Sequence, residues 1–173
     1  MRPTYLLFLF IPFLSCFKDR EIILFEIPMI PIDFTLQAGL NPLDTYYFDF
    51  EVPSNFEGLL QTFNRERADV QAILPLRARL VSRFGEGSYD MLFQEITLQI
   101  CEPDDDQPRC GFESFYWDFW DLRVGQFVNL VPNEPNLVDI VSQETFKVQL
   151  RIRLRQTPVQ SLDTRLEFSF KAE

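Results

Sequence analysis

Strict period-two alternation governs most of this chain. In "FKVQLRIRLR", Phe146, Val148, Leu150, Ile152 and Leu154 oppose Lys147, Gln149, Arg151, Arg153 and Arg155. In "TYYFDFEV", Tyr46, Phe48, Phe50 and Val52 share one side; in "TRLEFSFKA", Leu166, Phe168 and Phe170 do the same. Side chains alternate across a strand, so this rhythm, rich in aromatic and β-branched residues, specifies half-buried β-strands. "VQAILPLRARLVSRF" continues it, with Leu76, Ala78 and Leu80 inward, Arg77 and Arg79 outward, and Pro75 marking an edge or a bulge. "FGEGSYD" reads as a hairpin turn into "MLFQEITLQI". Two short helices are expected, at 55–63 and 136–143, each following an Asn placed as an N-cap. The expected fold is all-β: an antiparallel β-sandwich, Ig-like or jelly-roll-like, with one or two short helices.

The order of these segments has an echo. Val52-Pro53, a helix, Arg77-x-Arg79 and a further strand are followed by Val131-Pro132, a helix, Arg151-x-Arg153 and a further strand. The Val-Pro pairs lie 79 residues apart and the Arg-x-Arg pairs 74. The pattern reads as an internal duplication, which suits a sandwich whose layers come from equivalent halves.

Ahead of the strands lies a different composition. Arg2 precedes "YLLFLFIPFL", an apolar run of ten residues. As a helix it would span about 15 Å, half of a bilayer core, which suits a signal-peptide core and not a transmembrane helix. The run stops at "FLSC", similar to a bacterial lipobox with Phe13 and Leu14 in place of its preferred residues, and charge begins at once in "FKDRE". Cys16 is therefore the expected lipidation site. Residues 1–15 are the cleaved leader, 16–21 the lipidated Cys and its tether, and 22–173 a single domain. More than one acyl chain, at about 0.8 kcal/mol per buried methylene, gives stable anchoring in the outer membrane. The Lys18-Asp19 pair resembles surface-export tracts, which favours the cell surface over a periplasm-facing position.

With Cys16 assigned to lipid, Cys101 and Cys110 remain as an even pair in an exported protein, which implies a disulfide. The net charge is −10, and the leader carries only one basic residue, so the exported chain is strongly acidic. That excludes nucleic acid as a partner, because phosphates are neutralised by Lys and Arg. The chain has no histidine at all. Ser-His-Asp and Cys-His catalysis are excluded in their usual forms, as is His-ligated zinc. No GxGxxG or Walker loop occurs. A carboxylate-based hydrolase is the only enzyme class left open, and no pair of acids stands out for it. The chain reads as a non-enzyme.

Three stretches could carry binding. "CEPDDDQPRC" offers Glu102, Asp104, Asp105 and Asp106 as hard oxygen ligands, with Ca²⁺ at Glu102, Asp104 and Asp106 the sharp reading and a solvated, disulfide-clamped tip the plain one. "FESFYWDFWDL" sets Phe115, Trp117 and Phe119 on one side and Tyr116, Asp118 and Trp120 on the other. Either a neighbouring element covers the second side, or Tyr116, Trp117, Asp118 and Trp120 form an exposed surface for a sugar ring or a protein. Arg151, Arg153 and Arg155, beside Arg77 and Arg79, form either a salt-bridged face or an anion-binding groove.

The run "QAGLNPLDTYYFDFEVPS", the segment "RARL…GSYDMLFQEITLQI" and the closing "RLEFSFKA" resemble an uncharacterised family of small Bacteroidetes-type β-sandwich lipoproteins. The resemblance implies an all-β lipoprotein and brings no activity with it. The expected function is that of a non-catalytic envelope lipoprotein, an outer-membrane accessory module that docks on another envelope protein. The alternative is a surface carbohydrate-binding module.

Overall fold

The computed structural model describes residues 23–85, 87–118 and 123–173. Among them are nine strands, all paired antiparallel. They are β1 (Phe25–Pro28), β2 (Ile32–Leu36), β3 (Thr45–Pro53), β4 (Ile73–Ser82), β5 (Phe93–Cys101), β6 (Phe112–Trp117), β7 (Phe127–Pro132), β8 (Thr145–Leu154) and β9 (Leu162–Ala172). The short helices α1 (Phe56–Thr62) and α2 (Val138–Val141) fall where the sequence puts them. The caps differ in detail. Asn55 adopts a left-handed conformation with no side-chain cap bond. The Asn136 carboxamide oxygen instead accepts from the backbone N–H groups of Val138 and Ile73, both at 3.1 Å, which ties α2 to β4.

The strand order is β1-β9-β4-β7-β6-β5-β8-β3, with β2 also paired to β9. The all-β expectation holds. Its two layers, β1/β2-β9-β4-β7 and β6-β5-β8-β3, are joined along one side by the short β6–β7 pairing, so the sheet curls over on itself. Inward positions alternate as the sequence demands: Val148, Leu150 and Ile152 of β8 and Leu166 and Phe170 of β9 are fully buried. Pro75 sits at a bulge, where the β4–β9 register shifts between Pro75 and Arg77.

One expectation is overturned. The segment "FGEGSYD" does not close a hairpin, because β4 and β5 lie in different layers and do not pair. The chain instead arches from one layer to the other, with Tyr89 and Leu92 buried in the core beneath the arch. The β8–β9 connection arches in the same way.

The echo seen in the sequence has a topological counterpart. β3-α1-β4-β5 and β7-α2-β8-β9 have the same element order. Each long Arg-x-Arg strand lies between two strands of the other half: β4 between β7 and β9, β8 between β3 and β5. The halves are interlocked and not side by side.

The registers also define two poles. At one, β1 begins opposite the end of β9 (Phe25↔Ala172), β4 begins there too (Ile73↔Ala172), and α1, α2 and the 102–110 loop connect neighbouring strand ends. At the other are the start of β3, the end of β8, the start of β5 and the end of β6 (Thr45↔Arg153, Phe93↔Leu154, Ile96↔Trp117). Among the described residues no helix is long and apolar enough to cross a membrane.

Candidate functional site

The outer face of β5, β6 and β8 carries a groove of about 740 Å³ at the pole remote from the described N-terminal strand. Its floor is Thr97 of β5 and Tyr116 of β6; Gln94, Glu95 and Glu113 flank it. Pro42 and Leu43, in the turn leading into β3, make one wall, and Asp118 and Arg155 stand at its ends. The sequence folds this way because β6 alternates. Phe115 and Trp117 point into the core, at 0% and 5% exposure, so Tyr116 between them must face outward.

The structure thus divides the predicted aromatic surface. Tyr116 is half-buried and Asp118 exposed, and both line the groove. Trp117 touches the groove but belongs to the core, so it is not a free platform for a ring. Trp120 and Phe119 lie outside the described residues, as does Cys16. Sequence reasoning missed Leu43, which is 89% exposed at the rim. A single apolar residue in a Pro-containing turn belongs to no periodic pattern, so no sequence signal marks it.

The arginines take the salt-bridged arrangement, on two separate faces. Arg77 pairs with Glu26 at 2.6 Å and Arg79 with Glu167 at 2.7 Å, on the outer face of the β4 layer. On the other layer, Arg151 binds Glu95 and donates to the Thr97 hydroxyl at 2.9 Å, while Arg153 reaches Glu95 at 3.4 Å. Glu95 is held by two guanidinium groups, and Glu113 accepts from the Asn133 carboxamide at 3.1 Å. Arg155 lines the groove too, and its guanidinium donates to the Phe93 carbonyl at 3.5 Å.

Cys101 and Cys110 are bonded, with their Cα atoms 5.4 Å apart. The loop they close is organised by Asp105. Its carboxylate accepts from the backbone N–H of Gln107 at 3.0 Å and of Gly111 at 3.3 Å, and its carbonyl accepts from the Lys147 ammonium at 2.9 Å. Gly111 has φ +54°, and a Cβ there would lie 2.0 Å from the Ile100 carbonyl oxygen, so only glycine fits. Glu102, Asp104 and Asp106 point into solvent separately. Among the described residues no three acidic, Cys or His side chains converge on a cation position, so the suggested Ca²⁺ set is not assembled.

No known protein-family model matches the chain, and no curated protein matches it in sequence. The resemblance to small envelope lipoproteins therefore rests on the quoted motifs alone.

Proposed function

We propose that this protein is a non-catalytic envelope lipoprotein, anchored in the outer membrane through Cys16, that docks on another envelope protein through the groove. The observation that carries this reading is the lining: Leu43, 89% exposed, and the half-buried Tyr116 line one groove together with Glu113, Asp118 and Arg155. An apolar anchor within a charged border is the anatomy of a small protein interface. Native purification of the full chain through a C-terminal tag should recover a stoichiometric partner, and a Leu43→Arg/Tyr116→Ala variant should lose it while melting normally. Recovery of the same partner by that variant would sink the reading.

A second reading, glycan binding, is supported by a different observation. Tyr116 lines the groove together with Asp118, Glu113 and Gln94, an aromatic side chain among hydroxyl-binding groups. Under it, the Tyr116→Ala variant alone would lose binding on a glycan array; silence of the parent protein on the array would remove this reading.

A further inference from the structure

The curled sheet does not close. Among the described residues its two ends, β2 and β3, share no strand pairing; Phe34 lies 4.9 Å from Phe48 and 6.0 Å from Phe50, centroid to centroid. Among the described residues β3 has a single ladder partner, β8. Consequently one whole side of the nine-residue strand β3 keeps its backbone N–H and C=O groups unpaired by any neighbouring strand. The β3–β8 register runs from Thr45↔Arg153 to Pro53↔Thr145 without a bulge, and proline appears only at its last position. The inward residues of this strand differ from those of its neighbour. Tyr46, Phe48 and Phe50 are only half-buried, where Val148, Leu150 and Ile152 beside them are fully buried.

We infer that the β3 edge is a strand-addition site, taking an extended segment of another protein with apolar residues at alternate positions and basic residues between them. The free backbone groups specify a strand as the occupant. The half-buried Phe48 and Phe50 specify its inward side chains as apolar. The outward side chains of the edge are Thr45, Tyr47, Asp49 and Glu51; the two acids share the cation Lys147, which lies 3.7 Å from Asp49 and in register with Glu51, so the pair keeps a net negative charge that favours basic residues opposite. The same acids argue against a second copy of this chain. Antiparallel pairing of β3 with itself sets acid against acid in the registers that align the two strands fully, Asp49 opposite Asp49 or Asp49 opposite Glu51, which is destabilising. This surface is separate from the groove, and the inference does not depend on docking there.

The test uses the full chain in mild detergent and three nine-residue peptides: valine alternating with lysine, valine alternating with glutamate, and the lysine peptide with every second amide N-methylated. The lysine peptide should bind and slow amide hydrogen exchange at 45–53, leaving exchange around Tyr116 unchanged. The glutamate and N-methylated peptides should each bind at least about tenfold more weakly, the loss expected when several strand hydrogen bonds or their charge complements are removed. An Asp49→Asn/Glu51→Gln variant should narrow the gap between the lysine and glutamate peptides. Equal binding of the N-methylated peptide, or no added protection at 45–53 with saturating lysine peptide, would overturn the inference. Protection confined to β6 would assign the peptide to the groove and overturn it equally.

Discussion

Tyr89 shows how one side chain sets a property of the whole fold. It is 1% exposed beneath the β4–β5 arch, and its hydroxyl donates to the Thr164 hydroxyl oxygen at 3.0 Å. Burial disfavours the phenolate and pushes its pKa up to about 12, against an opposing pull from the Thr164 bond. The unfolded chain loses this proton near pH 10 and the folded chain near 12. Stability is therefore undiminished by this group below pH 10 and falls by about 2–3 kcal/mol as pH rises to 12 and the buried phenol must ionise. Tyr89→Phe should cost about 1 kcal/mol at neutral pH through the lost hydrogen bond. In urea titrations the parent should lose its advantage within the alkaline window and become the less stable of the two by about pH 12, because the phenylalanine does not titrate; parallel pH profiles would contradict the assignment. On the opposite sign, Asp33 is held below the usual carboxylate range, chiefly by hydrogen bonds from Arg165 at 2.8 and 3.1 Å, with burial opposing. The help it gives to the β2–β9 pairing is present at neutral pH and lost as acid protonates it.

At the level of elements, the disulfide loop acts as a clasp between the end of β5 and the start of β6. Closing so short a segment should stabilise by about 2–3 kcal/mol through the entropy of the unfolded chain. A Cys101→Ala/Cys110→Ala variant should therefore lose that much in denaturant titration while keeping its strand signature in circular dichroism; unchanged stability would mean that the Asp105 hydrogen bonds alone hold the loop. The strands themselves were legible because alternation is a local property: Phe146 to Leu154 reads the same in sequence and in structure. The layering was not. Gly85, Gly87 and Ser88 announce that the chain reverses, but reversal within a sheet and an arch between layers use the same residues, and only distant partners decide between them. For β4 those partners are β7 and β9, dozens of residues away. The candidate site divides likewise. Parity along β6 separated Tyr116 and Asp118 from Phe115, whereas Leu43 reaches the groove through the β2–β3 turn, which no local pattern records.

At the scale of the molecule, the interlocked halves make the fold indivisible. β4 has both of its ladder partners in the second half, and β8 has both of its partners in the first. Fragments 23–106 and 107–173 should each remain unfolded alone, because each holds a long strand with no flanking neighbours. Mixed with the Cys101–Cys110 bond absent, they should regain strand signal in circular dichroism. A folded isolated fragment would show that the halves are autonomous. The same non-local pairing predicts folding on the slow side of the range for domains of this size.

The two poles have a bearing on reach. The start of β1 lies against Ala172, and the Leu24 N–H donates to the Ala172 carbonyl at 2.8 Å, so both described ends of the chain emerge together. The eleven residues of β9 run from there toward the groove, a length of about 36 Å at the rise of an extended strand. Under the proposed anchoring at Cys16, the end of β9 lies on the membrane side of the domain together with the start of β1, and the groove lies at the far pole. In that posture the molecule is a short mast: its foot is crowded by headgroups, its tip is open, and the free β3 edge runs up its side from tip to foot.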